Sequence, residues 1–207
     1  MPSVARKPPS KRRVKPYAQG DLDSMCGIYA IINAFRALCR EITLEISAQL
    51  FQRLVRSLNR HAKQAHFSII FGTGRSLMGK LLSEAQSYLK KRLKIELAIE
   101  PKGRELKSKS LEAAWRRLSA IVDETTVLIL PLGGRWDHWT VLYDIKPHKI
   151  RLIDSSNRRE LTQSQCTLEA TKTRYCLELS GAIAISRVRP CQVAPARETD
   201  YDQLRRF

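Results

Sequence analysis

The sequence predicts an α+β fold, and three observations carry that prediction. Apolar residues recur at helical spacing up to about residue 122, and short β-like runs follow up to about residue 190. Helices first and strands later is the order of a helical part packed on an antiparallel sheet. The chain has 207 residues, 43% of them hydrophobic, which suffices for one domain with its own core.

Taken in order, residues 1–16 combine Pro, Ser, Lys and Arg with little apolar content, and a disordered basic arm is expected there. From Cys26 to Arg40, Ile28, Ile31, Ile32, Phe35, Leu38 and Cys39 repeat as a buried helix would. A second helix is predicted over Leu44–Leu58 and a third over Ser76–Leu93. Ile95, Leu97 and Ile99 alternate as a short strand does. Leu111–Val122, carrying Trp115, reads as a fourth helix. Val127–Leu132 is an apolar run of strand length. Residues 138–145 and 149–154 are β-like on either side of Lys146-Pro147-His148, and Ala182–Val188 is a further strand. The expected domain therefore covers 17–190, with a helical part over 17–122, a sheet part over 123–190, and a polar tail at 191–207.

Charge and cysteine content narrow the setting. Lys and Arg exceed Asp and Glu by 17, and six of these bases stand in the acid-free first sixteen residues. Such an excess promotes contact with acidic proteins, nucleic acid or anionic lipid without specifying a fold. Aromatics are few and no nucleic-acid module is recognisable, so a basic binding protein is the weakest reading, and contact through the arm has no motif behind it. Five cysteines with no C-x-x-C pair and no secretory signal fit a reduced compartment, so a soluble cytoplasmic protein is expected. No apolar run approaches the ~20 residues of a membrane span. His61 and His66 lack spaced Cys or acidic partners, so no metal is expected.

The chemistry centres on Cys26. It opens the first helix after Gln19-Gly-Asp-Leu-Asp-Ser24-Met, and Gly27 follows, removing a side chain and leaving room for a substrate carbonyl. A helix N-terminus and a neighbouring imidazolium are the two features that turn a thiol into a nucleophile. His138 and Asp154 lie on the two strands of the predicted hairpin. A register that sets Thr140 opposite Asp154 puts His138 opposite Ser156, so His138 and Asp154 share a sheet face. A slip of one residue would separate them. A carboxylate in that place fixes the His tautomer, with Asn157 and Asp144 as rivals for the position. The Cys26 N–H and the Gln19 side-chain amide are the candidate oxyanion donors. Trp139 either shields these polar contacts or is plain core.

Gln19, Cys26-Gly27, His138-Trp139 and Asp154 together resemble the Gln–Cys–His–Asp/Asn set of the papain-like cysteine protease superfamily. The His-Trp…Tyr-Asp…Leu-Ile-Asp stretch is most similar to the bacteriocin-processing peptidase-like branch and its stand-alone bacterial members. The likeness covers about 17–39 and 127–157, and the longer Asp-Leu-Asp approach to Cys26 departs from the pattern. It implies a papain-like fold, no metal or other cofactor, and a cysteine peptidase acting on a peptide or protein, acidic substrates included. In that scheme Cys26 is the nucleophile, His138 the general base and acid, Asp154 its orienter and Gln19 an oxyanion donor. Relatives in the superfamily deamidate or transamidate glutamine, which makes a translocated bacterial effector of that type the second reading.

Other features carry less. Cys39, Cys166, Cys176 and Cys191 read as structural, Asn33 as a hydrogen-bonded core amide and Asp137 as surface. Gly74-Arg-Ser-Leu-Met-Gly79-Lys80 imitates a phosphate-binding loop after Phe67–Phe71, but Leu81 stands where Mg²⁺ needs a hydroxyl, and the predicted third helix begins inside it.

Overall fold

Helix α1 (Cys26–Leu38) is apolar on nearly every side because it runs between the sheet and two further helices. Phe35 has no exposed surface, and truncating such a side chain costs about 3–5 kcal/mol. Helix α2 (Leu44–His61) turns a stripe of Leu50, Leu54 and Leu58 inward, and α3 (Arg75–Leu93) packs on it through Met78, Leu81, Ala85 and Leu89. Lys94, in the left-handed conformation at φ 56°, ends α3. The structure, a computed structural model, describes residues 11–20, 23–61 and 72–188. The 1–10 and 191–207 parts of the two expected tails, with Cys191, His66 and Phe67–Phe71, lie outside them.

The second half begins with β1 (Leu97–Pro101), the single turn α4 (Gly103–Leu106) and α5 (Leu111–Ile121), whose Ser110 cap accepts the Ala113 N–H at 3.2 Å. Then come β2 (Thr126–Gly134), β3 (His138–Lys146), β4 (Lys149–Ile153), β5 (Glu160–Thr162), β6 (Cys166–Thr167), β7 (Tyr175–Leu177) and β8 (Ile183–Arg187). The sheet order is β1-β8-β2-β3-β4-β5, antiparallel throughout, with β7 also on β2 and β6 parallel to β7. The molecule is thus α+β.

The sheet is covered on both faces. Val127, Ile129, Val141, Ile153 and Ile185 join the core formed with α1, α2 and α3. Leu128, Leu130, Leu142 and Leu152 join a second core with Trp115 and Leu118 of α5. A strand buried on two faces needs apolar residues at every position, which explains the unbroken run in β2. This differs from the expected division at residue 122. Strand β1 is an edge of the sheet because its partner β8 arrives from the far end of the domain, and α5 covers the face that α1 does not.

The β3–β4 hairpin departs from the expected turn yet reaches the expected register. Lys146 pairs with Lys149 across a two-residue Pro147-His148 turn. Continued regularly, that register would set Val141 opposite Asp154 and place Asp154 on the face away from His138. A β-bulge between Leu142 and Asp144 inserts Tyr143 as an extra residue. Beyond it Leu142 faces Leu152 and Val141 faces Ile153, which restores the parity that lets His138 and Asp154 share a face.

Residues 11–16 also differ from the expected disorder. They form no helix or strand, but Lys11 N–H donates to Glu124 O, Arg12 N–H to Ala37 O at 2.8 Å, and Arg36 to Lys15 O at 2.8 Å. Asn33, fully buried, exchanges two hydrogen bonds with the Tyr17 backbone, at 2.9 and 3.2 Å, as a core amide should. Buried Arg187 pairs with Glu41 at 2.9 Å and donates to Leu38 O, tying β8 to the end of α1. Among the described residues no helix is long and apolar enough to cross a membrane.

Candidate active site

Cys26 is the first residue of α1, so its N–H is among the four that a helix leaves without a partner inside itself. Asp23 shapes the approach: its Oδ2 accepts Gly20 N–H at 2.9 Å and its Oδ1 accepts Met25 N–H at 3.0 Å. The thiol is buried beside the start of β3, where Trp139 N–H points at Sγ from 3.5 Å. Strand β4 ends at Ile153, so that N–H lies beyond the end of the β3–β4 ladder. An N–H donor of this kind binds a thiolate more strongly than a thiol.

His138 Nε2 lies 2.9 Å from Asp154 Oδ2, both side chains buried. Asp154 Oδ1 accepts the N–H groups of Ser156 at 2.8 Å and Arg158 at 3.4 Å, so the carboxylate is oriented by the turn that follows β4. Burial alone would push the imidazole pKa down. Hydrogen bonds to Asp154 and Cys26, with their negative charges, outweigh it and raise His138 to about 9. With Nε2 on Asp154, Nδ1 is the nitrogen left for the sulfur. Cys26, His138 and Asp154 therefore meet, and Asn157 and Asp144 do not take the third position: Asn157 sits in the turn at φ 63°, and Asp144 lies near Lys146 and Arg151.

Gln19 is placed by a residue that the sequence did not single out. Its Oε1 accepts Ser155 Oγ–H at 3.1 Å, its backbone N–H donates to Ser155 O at 3.0 Å, and Nε2 donates to Asp23 O at 3.1 Å. One Nε2–H is left over from these contacts. Ser155 follows Asp154 directly, so a single segment orients both the imidazole and the Gln19 amide.

The expected role of Gly27 is overturned. A Cβ there would lie 2.9 Å from Thr73 Cβ and 3.0 Å from Met78 Cε, so the space is filled by protein, not left for a substrate. Gly27 instead lets the 72–74 loop close on the thiol. Trp139 is core on the helical side, its Nε1–H donating to Thr73 O at 2.6 Å. The tryptophan that covers His138 is Trp136, stacked at 3.9 Å between ring centroids and 8° between planes. A signal for it existed: residue 136 is two before His138 and so on the same side of an extended chain.

A cleft of about 330 Å³ opens above the thiol, walled by Thr73, Pro131, Trp139 and a 2.7 Å ion pair between Arg75 and Glu178. Asp137 is exposed, as expected, and lines this cleft. A hollow of about 360 Å³ between Tyr17, Tyr29 and Phe51 holds no thiol or imidazole. Helix α3 begins at Arg75, within the stretch that imitates a phosphate loop, so no such loop forms. Cys39, Cys166 and Cys176 are buried. Among the described residues no group of three or more His, Cys, Asp or Glu is arranged so that it could hold a metal ion. No family model, curated protein or solved structure matches this chain.

Proposed function

We propose that the chain is a papain-like cysteine peptidase that hydrolyses a peptide or protein amide through a Cys26 thioester. The observation that carries this reading is the buried His138–Asp154 hydrogen bond set against the thiol at the start of α1. With its pKa near 9, His138 holds a proton at neutral pH.

The steps follow from that placement. Sulfur attacks the amide carbonyl, and the electron pair displaced onto oxygen is stabilised by the Cys26 N–H and the free Nε2–H of Gln19. His138 passes its Nδ1 proton to the amine as the C–N bond breaks. Water then loses a proton to His138 and attacks the thioester, and collapse of that adduct breaks the C–S bond, releases the acid and restores the thiolate beside protonated His138. Asp154 keeps Nε2 protonated, so that Nδ1 alone exchanges protons.

Incubating the full chain with a mixed peptide library and reading new termini by mass spectrometry tests this. Cleavage is expected with the wild type and lost, by about 10⁴-fold or more, in Cys26→Ala and His138→Ala. A gain of about 1 Da with no new terminus would transfer the same chemistry to side-chain amides. Cleavage that survives Cys26→Ala would overturn the proposal.

A further inference from the structure

Two arginines beside His138 take no part in these steps. The Arg158 guanidinium carbon stands 5.8 Å from the centre of the Trp136 ring and 5.1 Å from that of Tyr175, and the Arg135 carbon stands 5.9 Å from Tyr175. Tyr175 meets Trp136 edge-on, at 6.2 Å and 78°, so two cations gather round an aromatic pair whose indole lies flat on the catalytic imidazole.

The backbone builds this arrangement. Gly134 turns at φ 79°, where a Cβ would lie 2.5 Å from Thr171 O, and Arg135 N–H donates to Arg174 O at 3.1 Å. The Arg158 N–H is one of the two that hold Asp154 Oδ1. The turn that orients the catalytic carboxylate thus also delivers a guanidinium to the rim. Among the described residues neither Arg135 nor Arg158 has a carboxylate within 4 Å. Asp154 is taken by His138 and Glu178 by Arg75, while exposed Asp137 lines the cleft.

We propose that Arg135 and Arg158 form a carboxylate-binding subsite on the leaving-group side of the scissile bond. The inference rests on the peptidase reading and gives it a substrate class: peptides with a carboxylate just beyond the cleaved amide. His138 protonates the departing amine, and the cleft beside Cys26 takes the acyl part. The chain attached to the amine therefore leads past His138 and over Trp136, towards the two guanidiniums. A guanidinium held near an aromatic ring does not spend its N–H groups on that contact, and a planar fork of donors matches a carboxylate in two hydrogen bonds. An anion there would also relieve the repulsion between two neighbouring cations.

The test uses thiol alkylation, which needs no turnover. Rates of Cys26 modification, read on its peptide by mass spectrometry, are compared for iodoacetyl-glutamate amide and its neutral isostere iodoacetyl-glutamine amide. The wild type should favour the anion, and Arg135→Gln with Arg158→Gln should lower that preference about three- to tenfold, as expected for two lost charges near the probe. Lys90→Gln with Lys91→Gln, an equal loss of charge at the far end of α3, should leave it unchanged. Iodoacetyl-glutamine with a free α-carboxylate then separates an acidic side chain from a chain terminus as the source. Equal preference in the wild type and the arginine variant, or an equal fall in the lysine control, overturns the subsite. If the library shows no cleavage while the alkylation preference still depends on the arginines, the peptidase reading fails and the subsite stands. Cleavage with no acidic bias after the scissile bond sinks the subsite alone.

Discussion

His138 and Asp154 are brought together by a sheet, whereas Cys26 and Gln19 are each placed by the chain that leads into α1. The first pair stands on a hairpin whose register is set by main-chain bonds, and its 2.9 Å contact is sealed from water. The second pair stands at either end of the approach to α1, held by turns of Asp23 and by Ser155 reaching across from the sheet side. Gln19 is only partly buried, and Ala18 and Gly20 on either side of it are exposed. The difference separates what must be ready beforehand from what can adjust. A proton carrier needs a fixed tautomer, while the oxyanion donor has work to do only when a substrate carbonyl arrives.

Breaking the sheet side should have the larger effect. Asp154→Asn is expected to lower kcat/KM by about 10²–10⁴-fold. The alkaline limb of the rate profile, set near pH 9 by His138, should also move down towards the ordinary imidazole range. The same pKa shift has a stability consequence. A His raised from 6.5 to about 9 stabilises the fold fully below pH 6.5 and loses that contribution as pH rises through 9. Melting temperatures across that window should fall more steeply for the wild type than for Asp154→Asn. Parallel curves would show that the pair does not couple to folding.

The loop side should give less. Gln19→Ala is expected to reduce kcat by roughly 10²-fold with KM little changed, as for loss of one oxyanion donor. A change confined to KM would remove Gln19 from the mechanism. Smallest of all, Ser155→Ala should cost about tenfold by freeing the amide to rotate, and should cost nothing further once Gln19 is already Ala. Additive losses in the double variant would mean that Ser155 acts by some route other than Gln19.

What the sequence revealed follows the same divide. Long periodic segments were legible, because Leu54 and Leu58, or Leu81, Ala85 and Leu89, repeat a spacing that a helix explains. The shared face of His138 and Asp154 was legible as a question of parity. The short strands β5, β6 and β7 were not, since two or three residues carry no period. Gly27 was misjudged because what fills its missing side chain, Thr73, belongs to a loop whose return to α1 no local pattern records. Trp136 and Ser155 were passed over for a related reason: their contacts exist only once the β2–β3 turn has met His138 and the end of β4 has met Gln19.

The bulge at Tyr143 behaves like a second frameshift that corrects a first. A two-residue turn alone would throw every later side chain of β4 into the wrong reading, and the extra residue brings the strand back into phase before Asp154 arrives. A hairpin built this way has two spellings of one His138–Asp154 pair, a short turn with a bulge or a turn longer by one residue without it. The length of the turn is then free to vary, so long as the strand beside it varies in step.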